Sequence, residues 1–336
     1  KNSSSLEEIA TENISLKDII NSNIAQEIRS DLANNKFHSA CNHCAFIEKN
    51  TGSIANERHD NNFLGLPNIN EAVANTDTKG FIHNQKPVWL DILYSNKCNF
   101  ACMGCSADLS STIASKYQSA YNILHDKPEN TPVIQEWQNK NDKIIDYILE
   151  HSDSITKIHL NGGEPFMQEP VHELLHVLLE KGLNKKIHIW SHTNGSINKY
   201  KNVNVIDDYL SNWGAKATIT MSHDLHGIQG EYVRYGLKQD KWIDTFNRLK
   251  ESNVEVNIQT CFNVFNALRL QELYNFYRYD LNIDDHLVLN QWTDPVPFSA
   301  RMLQTDSELL QKANEVLDNF KHKEGDYSWK YKFFNI

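Results

Sequence analysis

The chain has 336 residues, 40% of them hydrophobic and 23% charged, enough for a barrel-sized domain with a small appendage and too apolar for wholesale disorder. Asp and Glu total 43 against 33 Lys and Arg, a net charge of −10 that lacks the basic footprint of a duplex-binding protein, so nucleic acid is not an expected partner. No stretch approaches the roughly 18 to 20 consecutive apolar residues that span a bilayer, and the opening Lys1-Asn-Ser-Ser-Ser holds no apolar signal region. A cytoplasmic protein with no membrane partner is therefore expected, and a start at Lys1 rather than Met fits a trimmed chain.

In chain order, residues 1–64 do not read as part of a barrel. Ser15 is placed to cap a helix, with Asp18 three residues on, and a second helical run containing Ile28 and Arg29 ends near Leu32. A C-x2-C pair, Cys41 and Cys44, follows, with Glu48, Gly52 and Arg58 behind it. Residues 65–87 are polar, carry Pro67 and Pro87, and read as a linker. Val88-Trp-Leu-Asp-Ile-Leu-Tyr94 alternates as a strand does, and strand-like segments recur at 155–160, 187–193, 215–222, 254–260 and 286–291. Helical patterns at 170–181 and 239–251 lie between them, which predicts an α/β protein with a parallel sheet and right-handed crossovers. The stretch 107–150 exceeds an ordinary connection. Its Trp137, Ile144, Ile145 and Ile148 predict an extra or elongated helix packed on the outside. Beyond strand six, Thr293-Asp-Pro-Val-Pro-Phe298 breaks structure, and 306–320 reads as a closing helix within a C-terminal segment 301–336.

Six cysteines, Cys41, Cys44, Cys98, Cys102, Cys105 and Cys261, occur in a long chain with no secretion signal, most of them at very short spacings. Such thiols hold a metal or a cluster rather than disulfides. Cys98, Cys102 and Cys105 form a C-x3-C-x2-C run, Cys-Asn-Phe-Ala-Cys-Met-Gly-Cys. A closed zinc site needs four ligands, whereas three thiolates in one loop suit an iron–sulfur cubane with one iron left open to a small ligand.

This spacing, directly after a strand, resembles the radical S-adenosylmethionine (radical SAM) superfamily. Asn161-Gly162-Gly163-Glu164-Pro165, one strand later, resembles the Gly-Gly-Glu-Pro segment of that family, and Thr193-Asn194-Gly195 its Thr-Asn-Gly turn. The resemblance implies a partial (β/α)6 TIM-type barrel over residues 88–300. It also implies a [4Fe-4S] cluster on Cys98, Cys102 and Cys105 whose open iron chelates the amino and carboxylate groups of SAM. A reduced cluster then cleaves SAM to a 5′-deoxyadenosyl radical that abstracts hydrogen from a substrate. By the same resemblance Gly162, Gly163, Glu164 and Pro165 meet the SAM amino group and Asn194 helps to shape the site. Ser222 and Asp224 reach the ribose, and Arg234 meets the methionine carboxylate, for which a planar guanidinium is suited. A departure is Gly104, before the third cysteine, where the family often has an aromatic residue.

Residues 1–64 resemble, in the order of a short helix, C-x2-C and an acidic residue, the SPASM and twitch modules that hold auxiliary iron–sulfur clusters. Here the module precedes the barrel. Two thiols cannot close such a cluster, which normally takes four protein ligands, so the remaining ligands come from a second cysteine pair in a missing N-terminal segment, or Cys261 or His43 contributes, and a zinc site at Cys41 and Cys44 is the rival. Cys261, just after strand five, reads equally as an auxiliary ligand, a hydrogen-atom donor or a buried core thiol.

The expected activity is radical SAM chemistry on a peptide or protein, with a second cluster assisting and a flavodoxin or ferredoxin as reductant. The alternatives are the same chemistry on a small metabolite, sugar or nucleotide, and a scaffold that binds metal or cluster without catalysis. Among the 15 histidines, His223 and His226 near the end of strand four invite an acid–base reading, but with no third ligand or partner in view they read as surface or satisfied core residues, and His188 reads as structural.

Overall fold

The structure, a computed structural model, describes residues 20–42, 73–83, 86–124, 133–134, 141–283, 287–291, 302–303 and 306–324. Ser15, Asp18, His43, Cys44, Glu48, Gly52, Arg58, Trp137, 293–298 and the last residues lie outside these. The chain divides into two compact units, Lys1–Pro87 with Asn335–Ile336, and Val88–Phe334.

In the smaller unit, helix α1 spans Asn23–Ala33. Arg29 ties it to a tight turn. Its Nε donates to the Gly80 carbonyl at 2.6 Å and its Nη2 to the Ile20 carbonyl at 2.8 Å, while Asn21 bonds both backbone groups of Ile82. Cys41 ends a short 3-10 turn, Ser39–Cys41, and is half-buried.

The larger unit is built on one six-stranded parallel sheet. Its strands are β1 (Trp89–Leu93), β2 (Lys157–Asn161), β3 (His188–Thr193), β4 (Ala217–Ser222), β5 (Glu255–Phe262) and β6 (Leu287–Gln291). They lie in sequence order, each paired in parallel with its neighbours. Among the described residues no pairing joins β1 to β6, so the sheet is an open, partial TIM-type barrel rather than a closed one.

Between β1 and β2 lie two helices, α2 (Ser111–Leu124) and α3 (Asn141–Glu150). The extra helix is thus a second element and not an elongation of the first. As expected of a helix packed on the outside of the sheet, it buries Ile144 and Ile148 in the main core, with Ile145 against them. The later crossovers use α4 (Glu169–Glu180), the short α5 (Ile228–Val233), α6 (Gln239–Glu251) and α7 (Leu270–Asn275), which runs into a π-helical turn Phe276–Asp280. Helix α8 (Ser307–Glu324) follows.

Strand alternation sorts the side chains. Ile92, Ile158, Leu160, Ile189, Ile219, Met221, Val256 and Ile258 face the helices and form the core with Leu174, Leu175, Leu178, Trp242 and Phe246. Each such side chain, fully withdrawn from water, contributes about 1.5–3 kcal/mol. The opposite face presents the alternate residues, and these are mostly polar. They include Asp91, His159, His192, Thr220 and Gln259, where a closed barrel of this type is filled by branched apolar side chains.

Candidate functional site

The cysteine loop leaves the C-terminal end of β1 and is fastened to the start of α2. Ser110 caps that helix, its Oγ accepting from Ile113 N–H at 3.2 Å and donating to the Phe100 carbonyl at 2.6 Å. Thr112 Oγ1 donates to the Cys98 carbonyl at 2.7 Å, and Cys98 N–H donates to Ser111 Oγ at 3.1 Å. Asn96, fully buried, donates to the Ala107 carbonyl at 2.9 Å and closes the loop across its base.

Two of the three sulfurs are supplied with N–H donors. Phe100 N–H points at Cys98 Sγ at 3.4 Å, Asn194 Nδ2 reaches the same sulfur at 3.9 Å, and Arg234 Nη1 reaches Cys102 Sγ at 3.9 Å. Burial pushes the Cys98 thiol up to about 12 and the Cys102 thiol up to about 11, and raises Cys105 as well. Cys98 is also raised by Glu164 and by the other two thiols, while Arg234 pulls Cys102 and Cys105 back down. Among the described residues no three His, Cys, Asp or Glu side chains already stand in metal-binding geometry. The donor set nevertheless fits a cluster. Three thiols in one loop, two of them met by N–H groups aimed at sulfur, are what a thiolate-ligated cluster requires of its surroundings.

Gly162 and Gly163 let the loop after β2 lie directly on this segment. Gly162 has φ +125°, and a Cβ on Gly163 would stand 2.4 Å from the Lys97 carbonyl oxygen. The close approach is fixed by Gly163 N–H to Ser95 O at 3.1 Å and Glu164 N–H to Lys97 O at 2.8 Å. Glu164 then turns inward and is fully buried. Its Oε1 accepts from Thr193 Oγ1 at 2.7 Å and its Oε2 from Asn194 N–H at 2.7 Å. Burial pushes its pKa up to about 7, against the pull of these donors and of Phe166 N–H. Pro165 opens a 3-10 turn that Glu164 caps. Asn194 continues the chain of contacts, donating to Asn99 Oδ1 at 3.0 Å, and Gly195 takes φ +76° where a Cβ would strike Met221 and Trp242.

Two motifs that the resemblance placed against SAM therefore brace the cysteine loop. Gly-Gly-Glu-Pro carries it from below, and Thr-Asn-Gly joins Glu164 to Cys98 and Asn99.

Beyond β4, Asp224 and Arg234 meet each other. Arg234 Nε lies 2.8 Å from Asp224 Oδ2, and both side chains are buried. Asp224 Oδ1 also accepts from Cys261 N–H at 2.8 Å. Burial works against the Arg234 charge, but Asp224, Cys102 and Cys261 together hold its pKa above the ordinary value. A short antiparallel bridge, Ala101–Cys102 with Arg234–Tyr235, places this arginine beside the second cysteine. Nothing in the sequence pattern announced that pairing. Cys261 sits at the end of β5, half-buried against Leu225 and Val233, and burial raises its thiol to about 12. Ser222 ends β4, paired in register with Gln259.

His223 is no acid–base group in this arrangement. It is fully buried, bonded through Nε2 to Gln239 Oε1 at 3.0 Å, and burial drives its pKa down to about 3. His226 is exposed at the rim beside Glu272. His188 bonds the Thr218 hydroxyl at 2.8 Å, a structural contact.

The family model described as the radical SAM superfamily matches residues 92–276, more than half of the chain, and covers every one of these loops. The chain belongs to the radical SAM superfamily. Streptococcus suis SuiB bound to S-adenosylmethionine is a similar solved structure, with a TM-score of 0.50, 16% identity, and coverage of 85% of this chain and 60% of that one. Native anSMEcpe with bound AdoMet gives a TM-score of 0.47, 18% identity and coverage of 70% and 60%. SuiB bound to the precursor peptide SuiA gives 0.47, 15%, 88% and 59%. At these identities the likeness concerns the fold. The chain spans about 60% of the length of these structures. No curated protein matches it. Among the described residues no helix is long and apolar enough to cross a membrane.

Proposed function

We propose that this radical SAM protein binds a [4Fe-4S] cluster through Cys98, Cys102 and Cys105 and cleaves S-adenosylmethionine reductively, to abstract hydrogen from a peptide or protein. The observation that carries the reading is the loop itself: three thiols, one buried and two half-buried, N–H donors turned to two of their sulfurs, and a Gly-Gly shelf with no room for a side chain. When bound, the cluster supplies the electron that breaks the sulfonium bond. The chain's own residues hold and shelter it. Phe100 N–H and Asn194 donate to Cys98, and Arg234 donates to Cys102 while Asp224 balances its charge.

In this reading Gly162, Gly163, Glu164, Pro165, Asn194, Ser222, Asp224 and Arg234 line or support the SAM site. The Asp224–Arg234 pair supports it from within, since each already has a protein partner. The peptide reading rests on the Cys41 and Cys44 pair, read as part of an auxiliary-cluster module over 1–64, with 65–87 as its linker. Cys44 lies outside the described residues. Cys261, beside Asp224 and Arg234, stays with the catalytic region. A flavodoxin or ferredoxin is the reductant this chemistry calls for.

The test is anaerobic. The chain is reconstituted with iron and sulfide, given dithionite and SAM, and assayed for 5′-deoxyadenosine by mass spectrometry. The reading expects the nucleoside from the wild type and none from Cys102→Ala. Full cleavage by Cys102→Ala would sink it.

A further inference from the structure

Three polar side chains form a closed cycle of hydrogen bonds beside Cys98 and tie two loops together. Asn99 comes from the cysteine loop, and Asn194 and Ser196 from the loop that follows β3. Asn194 is buried, while Asn99 and Ser196 are half-buried. Hydrogen-bond chemistry fixes which way the Asn194 amide faces. Ser196 N–H can only donate, and it meets the Asn194 side chain at 2.9 Å, so the atom it meets is the oxygen, Oδ1. The Asn194 NH2 group is thereby turned to the other side. There it donates to Asn99 Oδ1 at 3.0 Å and reaches Cys98 Sγ at 3.9 Å.

The cycle then closes on itself. With its oxygen engaged by Asn194, Asn99 turns its own NH2 group to Ser196 Oγ at 3.0 Å. The Ser196 hydroxyl has one proton and two oxygens in reach, Asn194 Oδ1 at 2.6 Å and Asn99 Oδ1 at 3.4 Å, and the nearer one takes it. Asn194 Oδ1 thus accepts twice from Ser196, from the backbone and from the hydroxyl. A flipped Asn194 amide would set its NH2 group against Ser196 N–H, donor facing donor, and its oxygen against the Cys98 sulfur. Only one orientation satisfies the group, and that orientation presents N–H to sulfur.

We infer that Asn99 and Ser196 are positioning residues that hold the Asn194 carboxamide with an N–H on the Cys98 sulfur, and that this contact raises the reduction potential of the cluster proposed on that thiolate. The inference rests on the cluster reading above and deepens it. An N–H aimed at a ligating thiolate offsets negative charge on the sulfur. A reduced cluster carries one electron more than the oxidised one, so it gains more from the same donor, and the potential moves up. Phe100 N–H donates to the same sulfur at 3.4 Å, but that donor is set by the backbone of the loop. The Asn194 donor is set by side chains, and it comes from a different strand end, so it can be removed while the cysteine loop keeps its own bonds to Ser110, Ser111 and Thr112.

The experiment uses the full, iron-reconstituted chain without SAM, carrying 15N in its asparagine side chains. Hyperfine spectroscopy of the dithionite-reduced cluster reads a side-chain nitrogen through its contact with sulfur, and a redox titration followed by electron paramagnetic resonance reads the midpoint potential. The inference expects a 15N coupling in the wild type, and its loss in Asn194→Leu together with a lower potential. Ser196→Ala and Asn99→Leu should each weaken the coupling and lower the potential by less, and Ser196→Thr should restore both. A cycle that served only to join the two loops would leave the potential of Ser196→Ala where it was. Thermal unfolding and iron content show that each variant compared is folded and loaded. Should Asn194→Leu take up no cluster, the wild-type coupling and the two Ser196 variants decide. A loaded wild type with no side-chain 15N coupling, or a potential that stays or rises in Ser196→Ala, would overturn the inference and leave the cluster assignment standing. A wild type that forms no cluster would overturn both.

Discussion

Glu164 offers a quantitative test of how the Gly-Gly-Glu-Pro segment is used. Its carboxyl is fully buried and titrates at about 7 rather than the ordinary 4.5. A carboxyl whose folded pKa is raised keeps its proton in the folded chain after the unfolded chain has lost it. The folded state therefore binds more protons between these two values, and its stability falls as pH rises through that window. The shift from 4.5 to about 7 corresponds to about 3 kcal/mol. Glu164→Gln removes the titration and keeps the shape. Urea unfolding of both proteins should show the wild type losing about 3 kcal/mol relative to the variant between pH 4.5 and pH 7.5. Taking the difference cancels the histidines common to both. A difference that is flat with pH, or that favours the wild type as pH rises, would refute the reasoning. It would mean that the donors from Thr193, Asn194 and Phe166 outweigh burial.

Other expectations follow from the same contacts. Gly163→Ala drives a Cβ into the Lys97 and Asn96 carbonyls, so it should cost roughly 1–3 kcal/mol in unfolding and lower the iron bound per chain. Asp224→Asn strips the counter-charge from buried Arg234 and should destabilise by about 3–5 kcal/mol, which denaturant unfolding reads directly; a loss below 1 kcal/mol would show the pair to be open to water. His223 behaves oppositely to Glu164. Its depressed pKa means stability is lost as pH falls from the ordinary histidine value near 6.5 toward about 3, and His223→Gln should flatten that acid limb. Joint replacement of Cys41 and Cys44 by Ala should lower the iron count while sparing SAM cleavage; an unchanged count would remove the auxiliary cluster from the account.

The strands were legible because alternation is short-range and strict. Val88–Tyr94 and the segment at 187–193 each carry an apolar face that only one register buries, and the observed β1 and β3 fall within them. The three cysteines stand out because they fall in one loop, where the ligands of the proposed cluster would have to lie. What the sequence hid was contact between distant segments. The Arg234–Cys102 bridge joins residues 132 apart, and Glu164 reaches Asn194 across 30. Neither leaves a local pattern. The partners of single residues were hidden for the same reason. His223 lies at the end of a strand, as a catalytic histidine would, but Gln239 and Tyr277 close over it from other elements.

The measurement closest to the central claim is the electron paramagnetic resonance spectrum of the dithionite-reduced, iron-reconstituted chain, recorded with and without SAM. The account predicts a reduced [4Fe-4S] signal in the wild type that changes shape when SAM is added, and no such signal in a variant with Cys98, Cys102 and Cys105 all replaced by Ala. A signal indifferent to SAM, or one that survives the triple replacement unchanged, would contradict it.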